Sequence, residues 1–546
     1  MKMTSVFHQG LNSRKAARLR GEVGVMKRSM VLLLCLVTIA ALLTGCGQKS
    51  GGTPSQPDSG ADVDREMVIG IPKITESFDF YNTTNGFESI SMSQVYDTLV
   101  VKDSGGKTVP SLAESYEISP DGKTYTFYLR KGVKFTNGIE FTASDAKYSI
   151  EQAMESPWTS WAYASVDSCE IVDGYTIRIN MKTPSVGFLE YLSNIYYSAM
   201  LSEETVKNCG EDYGKSVENT VGTGPYILKE WKPGELCVYE ANPEYFKGEP
   251  AVKKVRLKTI TDVNTAVIAL QTGEIHAYFN DIPGISYDAV AKSEKLNLVS
   301  FPSTIFFECI MNTQTGPFSD VRLRQAVAYA VDRQQMLIVG AEGHGAVADY
   351  PGNRQGYTEG DPGLNTWYSV DIEKAKGLVK EAGMEGKTVT IKTYATDPYP
   401  KLATVLQDAL TKIGLKAEVQ QMERGAFIDE ALTKGQYEIG VCRWAAGTKD
   451  MDEIMYGSLA TASIGSAGNW SWYSNPAMDE ILAKAGAETD PEVRKRLYAD
   501  AIRIYTEDVP QIPLYYPDGS RAYSRDLAIH EGNVEYDRFF DYAWKN

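Results

Sequence analysis

The chain has 546 residues, 43% of them hydrophobic, which is ample for more than one core and too long for a single compact domain. Its formal net charge of −16 is unevenly spread, because the first 45 residues carry seven Lys or Arg against one Glu and leave a strongly acidic body. An acidic body argues against nucleic acid as a partner, since phosphate binding needs a basic face.

Lys27 and Arg28 precede an uncharged stretch whose apolar part, 30–43, is fourteen residues long. That is short of the roughly 20 residues a spanning helix needs but suits the apolar region of a secretory signal. It ends in Leu43-Thr44-Gly45-Cys46, which looks like a bacterial lipobox. Residues 1–45 are therefore expected to be a signal peptide, with Met26 as an alternative start, and Cys46 to be the lipidation site. An uncleaved anchor is the alternative. Residues 46–64 then form a lipidated, Gly/Ser/Pro-rich tether with almost nothing apolar to pack.

The spacing predicts a strand over 67–71, followed by a loop, 72–86, rich in hydroxyls, amides and aromatics, among them Tyr81, Thr83 and Asn85. Strands are expected over 96–101 and within 116–134, where Pro120-Asp121-Gly122 is turn chemistry. A helix over 142–154 has Ser144 or Asp145 to cap it, and Asp173-Gly174 turns a further hairpin. Residues 226–231 and 235–241 read as a hairpin about Lys232-Pro233-Gly234. Asp320 caps a helix bearing Leu323, Val327, Ala330 and Val331 on one face, with Arg322, Arg324 and Arg333 around it read as solvated or as structural ion pairs.

Between 371 and 443 strands and helices alternate, with Gly383, Gly414 and Gly435 as helix stops. The pattern is β-α-β-α-β, which favours parallel strands with right-handed crossovers. Ligands of such sheets sit beyond the carboxyl ends of the strands. Two loops leave those ends, pointing to Arg424, Arg443 and Trp444 as candidate ligand contacts. Further on, Asn469-Trp470-Ser471-Trp472-Tyr473 is an aromatic run that reads either as a ligand wall or as packing.

Four stretches carry a family resemblance: Tyr96 to Glu151 with VPSLAESYEISPDGKTYTFYLRKGVKFTNG, the run VGTGPYILKEWKPGELCVYEANPEYFKGEP from Val221, NTQTGPFSDVRLRQAVAYAVDR from Asn312, and ETDPEVRKRLYADAIRIYTEDVPQIPLYY from Glu488. In this order they resemble the family 5 extracellular solute-binding proteins, the peptide- and nickel-type receptors of ABC importers. The resemblance implies an α/β, two-lobed periplasmic-binding-protein-like fold of class II, with a β-rich domain inserted in lobe one. It divides the chain into lobe one (65–97, 221–300 and 506–546), an inserted domain (98–220) and lobe two (301–505). Peptide-binding members place an acidic residue three positions after the tryptophan that corresponds to Trp444. Here that position is Gly447, with Asp450 and Asp452 nearby.

The chemistry of enzymes and metal sites is missing. The histidines left after the signal, His276, His344 and His530, are isolated; there is no HExxH, no zinc-type cysteine spacing and no GxSxG. Gly105-Gly106-Lys107-Thr108 ends like a P-loop but lacks its first glycine. Cys169, Cys209, Cys237, Cys309 and Cys442 are an odd set whose pairing the sequence does not decide. The reading is a non-enzymatic receptor without cofactor, monomeric and lipid-anchored on the outer face of the cell membrane. Its partners are a small solute, most simply a peptide, and the permease and ATPase subunits. The contacts expected are Trp444, Arg443, Arg424, Asp450, Tyr81, Thr83, Asn85, Asn469, Trp470 and Trp472. An anionic small molecule, a metal chelate or an oligosaccharide is the other solute the residues leave open. A cell-wall hydrolase would need a nucleophile or acid-base pair in the cleft.

Overall fold

The structure is a computed structural model that describes residues 65–82, 88–103, 106–352, 367–448, 450–465, 468–529 and 538–545. The expected signal segment with Met26, Cys46 and the expected tether, and also Thr83, Asn85 and His530, lie outside the described residues.

Two large hydrophobic cores organise the rest. One is built from residues between Phe307 and Tyr515. The other runs from Met67 to Phe279 and is completed by Leu527, Phe539 and Tyr542. A single sheet passes through both, and its central member is the long strand Gln511–Ser524, here called the spine strand. The first part of the spine pairs antiparallel with Ile305–Met311, and its last part with Leu296–Pro302. The backbone therefore crosses between the lobes near Ser303-Thr304 and near Pro517–Gly519. Ser303 Oγ donates to Pro517 O at 2.8 Å and ties the two crossings together. Residues 511–515, expected in lobe one, pack in the core of lobe two instead. The reason is that Ile512, Leu514 and Tyr515 are fully buried apolar residues of that core.

In lobe two the strands Thr388–Tyr394, Lys416–Met422 and Ile439–Ala445 run parallel, in the order second, first, third. All three glycine stops have positive φ, at 68° (Gly383), 92° (Gly414) and 64° (Gly435). The helix expected before the stop at Gly435 is instead one α-turn, Arg424–Ala426, running into a wider π-turn, Phe427–Thr433. Glu423 caps it, its carboxylate accepting from Gly425 N at 2.7 Å.

In lobe one the strand Glu66–Ile71 lies parallel to Lys254–Thr259, which pairs with the hairpin Tyr226–Lys232 and Leu236–Ala241. The β-rich block has its own four-stranded antiparallel sheet, Ala113–Ile118, Thr124–Leu129, Thr176–Met181 and Val166–Asp173, yet shares the core of lobe one. Of the strand expected over 96–101 only Val100–Lys102 pairs. The helix Ala143–Glu155 is capped by Thr142 in a reciprocal box with Asp145, so neither Ser144 nor Asp145 is the cap itself.

One buried carboxyl makes stability depend on pH. Glu308 is 1% exposed within the strand Ile305–Met311, where Cys442 Sγ donates to its Oε1 at 3.6 Å and its Oε2 has no hydrogen-bond partner among the described residues. Burial pushes this carboxyl from 4.5 up to about 8, so the folded protein carries a proton that the unfolded chain gives up. Stability is then greatest below the unfolded value and falls as pH rises through the folded one. Glu308→Gln should flatten that fall and gain about 1–2 kcal/mol near pH 8, once the cost of burying an amide is subtracted. Urea unfolding at pH 5 and pH 8 checks this, and identical slopes for both proteins would refute it.

Candidate functional site

A cavity of about 1930 Å³ lies between the lobes, and the two crossing segments form part of its wall. Lobe two contributes the carboxyl ends of its parallel strands, as the topology requires. On the strand Ile439–Ala445 side chains alternate, so Arg443 and Ala445 turn into the cavity while Cys442 and Trp444 turn away. Arg424 enters from the turn that follows Lys416–Met422.

The other cations of the wall are engaged. Lys73 meets Glu88 at 2.6 Å, Arg521 meets Asp281 at 3.8 Å, and Lys102 and Arg538 pair with Glu190 and Asp97. Lys247 donates to Ser111 Oγ at 2.9 Å. Arg494 grips Asp450 with two parallel bonds, 2.8 and 2.6 Å. Arg424 and Arg443 differ: both are exposed to the cavity, and among the described residues neither has a carboxylate within ion-pair distance.

Beside these two guanidinium groups stands an aromatic wall. The Tyr394 and Tyr399 rings are 4.6 Å apart, and Phe307 lies 5.6 Å from Tyr399. Burial pushes the Tyr399 phenol up to about 12, against the opposing pull of the Arg443 and Arg424 charges. The same two charges pull on Tyr394, whose phenol burial also raises. Both arginines therefore act on one small region. That region combines planar donors with ring faces, a combination suited to a carboxylate on an organic body.

The structure sorts the other expected contacts. Asp450 and Trp470 reach the cavity, but Asp450 is already occupied by Arg494 and by capping the helix Met451–Leu459 through Asp452 N at 2.8 Å. Trp444 is half-buried and packs against Trp470, its Nε1 donating to Gly468 O at 3.2 Å, on the opposite side of the strand from Arg443. Asn469 is fully buried and holds its own loop, donating to Ala460 O and Tyr473 O at 2.9 and 2.8 Å. Trp472 closes over Gly435 and donates to Leu432 O at 3.3 Å, in a left-handed backbone conformation. Tyr81 is buried in the core of lobe one, its hydroxyl donating to Ala199 O at 2.8 Å. None of these last four lines the cavity.

Several lining residues were not anticipated. Trp158, 46% exposed, faces the cavity from the β-rich block, together with Asn194, Tyr196 and Tyr197. The aromatic cluster Trp158-Thr159-Ser160-Trp161 was a visible signal for the first of these. Among the described residues no group of three or more His, Cys, Asp or Glu is placed to hold a metal. His276 accepts from Val68 N at 3.0 Å and His344 stacks on Tyr287, which explains both structurally. The five cysteines of the body are free thiols, four of them buried.

Residues 107–466 match the profile of the bacterial extracellular solute-binding proteins, family 5. The chain belongs to family 5 of the extracellular solute-binding proteins. This family 5 chain is 30% identical to the glutathione-binding protein GsiB of Salmonella choleraesuis over 486 residues, covering 85% of this chain and 91% of that one. It is 28% identical over 484 residues to di/tripeptide-binding protein 2 of Pseudomonas aeruginosa, covering 83% and 90%. Its fold matches the periplasmic binding protein DppA of Helicobacter pylori, solved with the peptide STSA, at a TM-score of 0.76 and 28% identity, covering 88% and 98%. Family 5 members are transport receptors and not enzymes, so this chain is the extracytoplasmic substrate-binding receptor of an ABC importer. Among the described residues no helix is long and apolar enough to cross a membrane.

Proposed function

We propose that the receptor captures a short peptide, or a peptide-like molecule, through a carboxylate seated at Arg424 and Arg443. The observation that carries this is that these two cavity-facing cations have no carboxylate partner among the described residues, whereas the cations around them are engaged. Desolvating two guanidinium groups on closure is costly unless an anion meets them. The Phe307, Tyr394 and Tyr399 rings supply apolar surface for the rest of the solute. A cavity of about 1930 Å³ also exceeds the roughly 300–1,000 Å³ of a typical small-molecule site and leaves room for several residues with water. The relatives add support: one is named for glutathione, a tripeptide with two carboxylates, one for di- and tripeptides, and one was solved with a peptide.

The test is calorimetry with a panel of tripeptides, each as free acid and as C-terminal amide. The acids should bind and the amides should lose at least about tenfold, the worth of one charge-assisted bond. Equal affinity of acid and amide would remove the carboxylate from the account.

The lipobox-like Leu43-Thr44-Gly45-Cys46 supports a receptor tethered to the outer face of the membrane through Cys46. Two acyl chains give such a tether its hold, since one alone binds marginally. Cys46→Ala should abolish palmitate incorporation and release the protein from the membrane. A version started at Met26 should keep both, and a Met26 version that fails to reach the membrane would contradict the assigned start.

A further inference from the structure

Away from the arginine pair, the β-rich block touches lobe two through a small, well-built contact. Tyr197, 9% exposed, donates its hydroxyl to Glu453 Oε1 at 3.2 Å, and Asn194 Nδ2 donates to Gly447 O at 2.5 Å. A third link runs from Val186 N to Gly486 O at 3.3 Å.

Each side is prepared in advance. In lobe two the buried Glu453 carboxylate already accepts from Gly447 N and Thr448 N, both at 2.8 Å, and from Thr448 Oγ1 at 2.6 Å. These bonds hold Gly447 and Thr448 on the Glu453 carboxylate as a seat, with one lone-pair direction of Oε1 left for a donor from outside. On the opposite side Trp161 and Tyr191 brace the Tyr197 ring at 5.3 and 5.6 Å, and Tyr163 donates to Tyr197 O at 3.2 Å. The seat admits the phenol only because position 447 is glycine: a Cβ there would lie 1.8 Å from the Tyr197 hydroxyl and 2.5 Å from its ring. Gly447 is not among the glycines with positive φ, so its backbone would accept alanine, and the approach of Tyr197 accounts for the missing side chain.

We infer that Tyr197 and Asn194, docking on the seat made by Gly447, Thr448 and Glu453, form an interlobe latch that populates the closed arrangement before any solute binds. The latch is also part of the cavity wall, because Asn194, Tyr197, Gly447 and Thr448 all line it. A solute entering a receptor already biased to closure escapes part of the conformational cost, and its apparent affinity rises by the closed fraction gained. The latch holds whatever the solute is, so it stands apart from the carboxylate reading.

The experiment is small-angle X-ray scattering of the purified protein stripped of bound solute. Gly447→Ala should give a larger radius of gyration than the wild type, because the added methyl blocks the seat. Tyr197→Leu should give a similarly open particle, and Gly447→Ala added to Tyr197→Leu should change nothing further. A radius unchanged by Gly447→Ala would overturn the latch, as would an equal increment from Gly447→Ala in both backgrounds. Circular dichroism melts of all variants, expected to match the wild type, separate opening from unfolding. A Gly447→Ala melt lowered equally in both backgrounds would make the glycine structural and sink the proposal.

Discussion

Arg443→Ala is expected to weaken binding of a carboxylate-bearing solute about 30- to 150-fold, roughly 2–3 kcal/mol. The guanidinium group faces the cavity beside Phe307 and Tyr399, and closure removes it from water with whatever it holds. Arg424→Ala should act in the same direction, since both charges bear on Tyr394 and Tyr399. Arg443→Lys should fall between wild type and alanine, because it keeps the charge but loses the planar fork. None of these changes should alter unfolding without solute, as neither arginine holds a carboxylate of the described fold. Calorimetry with the tightest-binding tripeptide acid, beside urea unfolding of the same variants, checks both halves. Loss of fold with unchanged affinity would make the arginines structural.

Arg324→Ala should do the reverse, costing about 3–5 kcal/mol of stability while sparing solute affinity. This side chain, 6% exposed, crosses from the helix Val321–Ala330 to the end of the helix Pro491–Asp508. It donates to Asp508 O at 2.9 and 2.7 Å and to Val509 O at 3.0 Å, and on its own side to Phe318 O and Ser319 O at 2.9 and 3.2 Å. A helix end leaves its last carbonyls without partners, and this one ends in a left-handed valine where glycine would be usual. One guanidinium group thus satisfies four carbonyls in a place closed to water. The urea midpoint should fall sharply for alanine, while a tripeptide acid binds the folded fraction as before. A shift below about 1 kcal/mol would mean that water replaces the lost donors.

These two arginines show where the sequence is informative. Arg324 sits in a helix whose cap, Asp320, and apolar face are plain in the residues, so a structural role was expected, though two of its four carbonyl partners lie 184 and 185 residues away. The β-α-β-α-β unit was legible because glycine marks each helix stop, and Gly383, Gly414 and Gly435 all take positive φ. From that topology alone the loops at the strand ends pointed at the cavity. Which neighbour on a strand turns inward was not legible, because one residue of register exchanges the faces. Arg443 and Trp444 were therefore equal candidates until the pairing of Trp444 with Phe306 and Arg443 with Phe307 assigned them opposite sides.

The rest was hidden by distance along the chain. Asp450 looked like a free acid, yet Arg494, 44 residues on, neutralises it. Tyr197 and Glu453 are 256 residues apart, and nothing in either neighbourhood announces the other. The lobe boundary fell later than expected because the spine is one continuous strand, paired with Ile305–Met311 in its first part and with Leu296–Pro302 in its last, so no break in the strand marks the crossing.

The most direct test is to purify the receptor natively, release its solute by acid denaturation and identify the solute by mass spectrometry. A molecule of di- to tetrapeptide size carrying at least one carboxylate is the predicted result. A solute with no acidic group, cationic or neutral, would contradict the assignment of Arg424 and Arg443 and with it the proposed ligand class.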